Sequence, residues 1–276
     1  MPAAPGIRVP ASSANLGPGF DTLGIALDLL LRVTPGEPPA PDRHPAVVAF
    51  ASAGGQGPLA VESAIPPGRG LGYSGAARIA GALAGALQAG ASVDDARTIA
   101  FSIAAEREGH ADNVAASLFG GFVATAAGHV VRVPLAQTPA VVVWIPETAT
   151  STSGSRAQLP DQIPFADAVF NVGRVALLVA ALAAGDIAAL RTATEDRLHQ
   201  DRRLADKPQS RAAIHALLDA GAWCAWLSGS GPTVAAFVDP GDADRIATAL
   251  PDDGSVRVLP IDTRGADIDP QYPDAR

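Results

Sequence analysis

The twelve residues from Pro66 to Ala77, PPGRGLGYSGAA, constrain this chain more than any other stretch. Gly68, Gly70, Gly72 and Gly75 stand just before a helical pattern in which Ile79, Leu83 and Leu87 recur every four residues. Upstream, Leu59 to Ile65 reads as a short strand. A strand therefore runs through a glycine loop into a helix N-terminus. Such a terminus presents backbone N–H groups with no intrahelical partner, and the helix dipole favours an anion there. Glycine lets the main chain approach oxygens that a side chain would hold away. The plain alternative is a glycine-rich turn with no ligand.

Two familiar phosphate loops fail the pattern. Gly70, Gly72 and Gly75 satisfy G-x-G-x-x-G, which requires an acidic residue at the end of a second strand about 20 residues on. Asp95 has that spacing, but it sits in Ser92-Val-Asp-Asp95, a helix cap, and Ile99 and Ile103 continue a helical face. A Walker loop needs Lys and then Ser or Thr after its last glycine, and neither follows. The loop belongs to another phosphate-binding class.

A chain of 276 residues, 48% of them apolar, can bury one large core or two modest ones. A net charge of −8 and the lack of a basic run argue against nucleic acid as a partner. The one cysteine, Cys224, rules out an intramolecular disulfide and, between Trp223 and Trp226, reads as a buried inert thiol. No signal peptide is visible. The longest apolar run, Val175 to Ala184, reads as too short for a bilayer. A cytoplasmic protein with no membrane partner is expected.

Strands are expected at Ile7 to Pro10, Ile25 to Val33, Phe122 to Thr125, Val130 to Val133, Val141 to Ile145, Trp223 to Leu227, Thr233 to Val238 and Val256 to Ile261. Helices are expected at Val47 to Ala53, Ser92 to Glu108, Phe165 to Ala184, Asp186 to His199, Ser210 to Ala220 and Asp242 to Leu250. Thr148 to Pro160 is polar, and His110 to Gly121 is a loop with a short helix. The mixture does not alternate regularly, which implies an α+β chain of two domains, 1–136 and 137–276.

Four segments carry a family likeness: Val9-Pro-Ala-Ser-Ser-Ala-Asn15-Leu-Gly-Pro-Gly-Phe-Asp21, the glycine loop, Glu108-Gly-His110-Ala-Asp112-Asn113, and Leu227-Ser-Gly-Ser-Gly-Pro-Thr233. In this order they resemble the homoserine kinases of the GHMP small-molecule kinase superfamily. The likeness continues through Thr152 to Arg156, Asp196 to Gln200 and Asp262 to Ala266. It implies the two-domain GHMP kinase fold, with an N-terminal half like ribosomal protein S5 domain 2 and a ferredoxin-like C-terminal half. It implies transfer of the ATP γ-phosphoryl group to the side-chain hydroxyl of L-homoserine. Members of the family are often dimers, so a homodimer is the implied partner.

The resemblance also assigns roles. The loop Pro66, Pro67, Gly68, Arg69, Gly70, Leu71, Gly72, Tyr73, Ser74, Gly75 and Ala76 would hold ATP. Ser74 and Glu108 match the positions that hold Mg2+, an ion that takes hard oxygen ligands; Glu106 competes with Glu108. An amino acid zwitterion needs an anion for its ammonium and cations for its carboxylate. Asp21 would face the amino group beside Asn15, and His110 and Asp112 would line the same pocket. Thr152, Arg156 and Arg203 lie on the carboxylate side, where a guanidinium fork fits. Asp112 and Asn113 stand near the group that orients the attacking hydroxyl. With Ser74 they form the expected catalytic set, and no general base is assigned. The turn from Ser228 to Thr233 lies beside them.

Three features depart from the family pattern. Tyr73 replaces a serine, the stretch between Gly24 and Pro66 is short, and His44-Pro45 replaces an asparagine on the nucleotide side. Two alternatives therefore stay open: another GHMP kinase, acting for example on L-threonine, or a binding-only pseudokinase.

Overall fold

A computed structural model describes residues 4–149 and 152–272. The first part of the chain forms β1 (Ile7–Asn15), β2 (Gly19–Pro35), α1 (Pro45–Ser52), β3 (Leu59–Ser63), α2 (Tyr73–Gln88), α3 (Val93–Glu108), α4 (Asp112–Phe119), β4 (Phe122–Ala126) and β5 (His129–Val133). The rest forms β6 (Ala140–Pro146), α5 (Thr152–Ala157), α6 (Phe165–Ala184), α7 (Ile187–Ala193), α8 (Gln200–Arg203), α9 (Pro208–Asp219), β7 (Cys224–Leu227), β8 (Val234–Val238), α10 (Ala243–Ala247), β9 (Gly254–Leu259) and β10 (Asp267–Ile268).

The strands make two antiparallel sheets. One runs β10-β1-β2-β4-β5, with β3 also on β2; the other runs β7-β8-β6-β9. At 17 residues, β2 is long enough to pair β3 near its C-terminal end and β4 near its N-terminal end. Every residue of β1 is buried, and its register with β2 slips between Pro10 and Ala11. Proline has no N–H for the ladder, which makes a slip its natural place in a central strand. The chain changes sheet between Val133 and Ala140, then returns to the first sheet through β10.

Helices α1 and α2 run in the same direction, with Ala46 against Gly81 and Phe50 against Gly85. This close approach brings the start of α1 to the start of α2. Ser92 caps α3 by accepting the Asp95 N–H, as its sequence implies.

Two expectations need correction, and one polar stretch holds a helix not foreseen. The helix expected from Asp186 to His199 stops at Ala193, because Asp196 accepts the backbone N–H groups of Leu198, His199 and Gln200 and turns the chain. The polar stretch Thr148 to Pro160 contains α5. The apolar run Val175 to Ala184, expected to be too short for a bilayer, is only the second half of α6, which has 20 residues and, by length and composition, is long and apolar enough to cross a membrane. It packs Leu178, Ala181 and Leu182 into the core and leaves Phe165, Val169 and Val172 exposed.

A methyl group at Gly81 would stand 1.9 Å from the Ala46 carbonyl oxygen. Overpacking of this kind costs about 1–3 kcal/mol, more than the helix-propensity gain of alanine. Gly81→Ala is expected to lower the Tm by several degrees in a thermal melt; an unchanged Tm would show that α1 moves off α2 without penalty.

Candidate active site

The cleft forms where the end of β1, the N-termini of α2 and α4, α5, α8 and the β7–β8 turn converge. It is lined by Asn15, Asp21, Gly68, Arg69, Gly70, Gly72, Tyr73, Ser74, Gly75, Glu108, His110, Asp112, Asn113, Arg156, Arg203, Gly229 and Ser230, among others. Of the loop residues expected to hold ATP, Pro66, Pro67, Leu71 and Ala76 are not in this lining, and Leu71 and Ala76 are core residues. The side chain of Thr152 lies outside the described residues.

The two adjacent serines of β1 point to opposite faces, as strand alternation requires. Ser117 Oγ donates to Ser12 Oγ (3.1 Å), which donates to Asn113 Oδ1 (3.0 Å). That bond fixes the Asn113 amide and leaves its Nδ2 as the donor. On the other face, Trp226 Nε1 donates to Ser13 Oγ (2.9 Å), and Ser228 Oγ donates to the Gly70 carbonyl (2.6 Å). The two hydroxyls lie 2.7 Å apart, so Ser13 must donate to Ser228. A directed relay thus runs from the second sheet into the glycine loop. Gly70 sits at φ +77°, and a Cβ there would meet the Ser228 carbonyl oxygen at 2.4 Å. Gly72, at φ +71°, is the N-cap of α2 and packs its Cα hydrogens against Ser12.

Ser74 Oγ donates to Glu108 Oε1 at 2.5 Å, and Arg78 Nε reaches the same oxygen at 2.7 Å. Glu106 is exposed and outside the lining. Arg69 Nε donates to the Pro146 carbonyl at 3.0 Å and its Nη2 to that of Glu147, which ties the loop to the end of β6.

Opposite the loop, Asn15 Oδ1 accepts the Asp21 N–H (3.1 Å) and Asn15 Nδ2 donates to the Gly229 carbonyl (3.0 Å). Asn15, Leu16 and Asp21 all take positive φ, a conformation uncommon outside glycine that the packed turn enforces. Arg156 Nη2 holds both Asp21 oxygens at 2.6 and 2.7 Å. The guanidinium carbons of Arg156 and Arg203 each lie 5.2 Å from the centre of the Phe20 ring. Arg203 is buried, with Nη1 bonded to the Gly229 carbonyl (3.0 Å) and no partner for Nε among the described residues. His110 Nδ1 lies 2.7 Å from Asp112 Oδ1; this hydrogen bond outweighs burial and raises the His110 pKa. Asp21, His110 and Asp112 bring ligand atoms within 4.8 Å of one another. With Arg156 already on Asp21, this acidic corner suits an organic ammonium.

Sequence reasoning missed Ser12, Ser13, Arg78 and Phe20. Arg78 lies four residues after Ser74 on a helix, a spacing that puts both on one face and could have flagged it. Cys224 is buried, which pushes its thiol up to about 12 and keeps it inert.

His199, behind the cleft, is buried and neutral. Its Nε2 donates to the Gly17 carbonyl (2.8 Å), and its Nδ1 faces Arg203 Nη1 (3.4 Å). Burial lowers its pKa and the Arg203 charge adds to that, while Asp196, Asp21 and the Gly17 carbonyl oppose it. Below the ordinary histidine value the unfolded chain takes up a proton that the native chain refuses, so native stability falls as pH drops. His199→Gln is expected to flatten the slope of Tm against pH between about 6.5 and 5. Parallel slopes would mean that His199 titrates normally in the native state.

Known proteins match this chain and its fold. The GHMP kinase N-terminal domain matches residues 45–121, and the GHMP kinase C-terminal domain matches residues 178–256. The chain therefore has the α+β GHMP kinase architecture. Among solved structures, a homoserine kinase from Cytophaga hutchinsonii superposes with a TM-score of 0.85 at 26% identity, covering 97% of this chain and 98% of that one. The mevalonate kinase of L. major shares the fold at 17% identity, with a TM-score of 0.67 over 95% of this chain and 96% of that one. Homoserine kinase of Streptomyces avermitilis is 40% identical over 97% of this chain and 96% of its own length. A homoserine kinase of Thermus thermophilus is 39% identical over 89% of this chain and 91% of its own length. The chain belongs to the homoserine kinase family, and it is a kinase.

Proposed function

We propose that this cleft transfers the γ-phosphoryl group of ATP to the side-chain hydroxyl of L-homoserine, in a chain of two halves, 1–136 and 137–276. The observation that carries the reading is the Asp21–Arg156 pair facing the glycine loop across one cleft. An opened ion pair is the complement of a zwitterion: the carboxylate takes an ammonium and the guanidinium takes a carboxylate. Both side chains are partly exposed, so separating them costs about 1 kcal/mol or less. The buried Arg203 and the His110–Asp112 pair shape the rest of the pocket.

Phosphoryl transfer depends on alignment and charge neutralisation rather than on covalent chemistry from the protein. The loop amides and the α2 N-terminus supply donors to phosphate oxygens. Ser74 Oγ and Glu108 Oε1 converge to 2.5 Å, two hard oxygen donors of the kind Mg2+ takes, so these residues fit the ion and would hold it. Bound Mg2+ supplies neutralisation of phosphate charge. Arg78 keeps Glu108 aimed at Ser74. Asn113, with its oxygen held by Ser12, presents Nδ2 to the cleft. Asp112 Oδ1 already accepts from the Asn113 N–H, which positions the pair at the start of α4. The homoserine kinase relatives, 37–40% identical over most of the chain, favour homoserine over L-threonine and favour turnover over binding alone.

ADP release with MgATP, measured against L-homoserine, L-threonine, L-serine and mevalonate, tests the reading. Turnover confined to homoserine supports it, and silence from folded protein overturns it. Arg156→Ala is expected to raise the KM for homoserine roughly 10- to 100-fold, the loss of a charged hydrogen bond, with MgATP affinity unchanged. Equal losses for both substrates would remove Arg156 from the carboxylate site. Glu108→Gln is expected to cut kcat roughly a hundredfold or more while homoserine still binds. Full activity in that variant would remove Glu108 as a metal ligand.

A further inference from the structure

The two side chains that depart from the family pattern on the nucleotide side touch each other. His44 Nε2 lies 2.8 Å from Tyr73 Oη, and the rings meet edge-on at 80° with centroids 6.0 Å apart. His44 is also the N-cap of α1, where its Nδ1 accepts the Ala46 N–H at 3.2 Å. A backbone amide only donates, so Nδ1 carries no proton. The neutral imidazole therefore holds its proton on Nε2 and donates it to Tyr73 Oη. Partial burial lowers the His44 pKa, which favours that neutral form. Tyr73 Oη is thus an acceptor towards His44, and its own O–H is left free for another partner. Tyr73 is the first residue of α2, it lines the cleft, and the preceding N-cap, Gly72, has no side chain to cap the helix.

We infer that the Tyr73 O–H donates to phosphate oxygens of the bound nucleotide, with His44 as the positioning residue that orients it. The inference rests on the kinase reading above. Where the family carries a short serine hydroxyl, this chain carries a hydroxyl at the far end of a ring, and His44 decides which way its proton points. The ligand class is a polyphosphate, because neither residue is asked to recognise a base.

Calorimetric titration of MgATP and of magnesium tripolyphosphate into the wild type, Tyr73→Phe, His44→Asn and the double variant tests this. Tyr73→Phe keeps the ring and removes only the hydroxyl; it is expected to weaken both ligands about tenfold or more. His44→Asn keeps an acceptor near the α1 cap but is too short to reach Tyr73; it is expected to weaken both by less. The double variant is expected to bind no worse than Tyr73→Phe alone, since both act on one donor. His44→Gln, whose longer amide can reach Tyr73, is expected to recover part of the loss. Unchanged or tighter binding by Tyr73→Phe, with a lower Tm, would overturn the inference and leave the pair as a tie between α1 and α2. Failure of the wild type to bind either anion would overturn the ATP reading itself, and this inference with it.

Discussion

The cleft depends on the relay from Trp226 through Ser13 and Ser228 to the Gly70 carbonyl. Each group in it has one direction open, because an indole only donates and a carbonyl only accepts. The relay joins the second sheet, the central strand of the first and the glycine loop in a single line of bonds. Together with Arg69 on the Pro146 and Glu147 carbonyls and the Ser12 N–H on the Leu71 carbonyl, it sets the height of the loop between the two layers. The glycines complete the constraint. Gly70 passes so close to Ser228 that no side chain fits, and Gly72 lies as close to Ser12. On the proposed reading the loop amides are therefore pre-aimed at phosphate, which is what a reaction controlled by alignment requires.

Across the cleft most charged groups already hold a partner, the Nε of buried Arg203 excepted among the described residues. Asp21 holds Arg156, Asp112 holds His110, Glu108 holds Arg78 and Ser74, and Arg203 takes the Gly229 carbonyl. On the proposed reading the site takes a zwitterion, a polyanion and a divalent cation, and without such pairing it would carry several unbalanced charges at close range. Pairing them internally keeps the pocket folded, and the exposed pairs can exchange partners at small cost. The buried members, Asp112 and Arg203, are held by the Asn113 N–H and the Gly229 carbonyl. The division between partners that exchange and partners that stay follows burial.

Local signals carried much of this into the sequence. The glycine loop, the helix after it, the Ser92 cap and the strand–turn–strand around Ser228 follow from short-range rules that the packed structure does not override. What was not legible depends on which distant groups meet. Nothing local says that Ser12 and Ser13 serve different layers, that Arg78 shares Glu108 with Ser74, or that two arginines bracket Phe20. The helix expected after Asp186 failed for a related reason. Residues from Thr194 to His199 have no helix breaker, and it is the Asp196 carboxylate, fixed by Asn171 from α6, that captures the amides of Leu198, His199 and Gln200, while Asn171 Oδ1 takes that of Arg197. β10 is two residues long and exists only because β1 offers it an edge.

Against the family pattern the sequence resembles, Tyr73 and His44 taken one at a time look like losses on the side of the cleft proposed for the nucleotide: a small hydroxyl gone and an amide gone. Their contact changes the count of donors. An imidazole that caps α1 through Nδ1 has one proton left, and a phenol that accepts it has one left in turn. The proton count at the loop is thus the same as a lone hydroxyl would give, but now it is directed by a second helix. The close packing of α1 on α2 at Gly81 and Gly85 is what makes the exchange geometrically available, because it brings the first turn of one helix within reach of the first residue of the other.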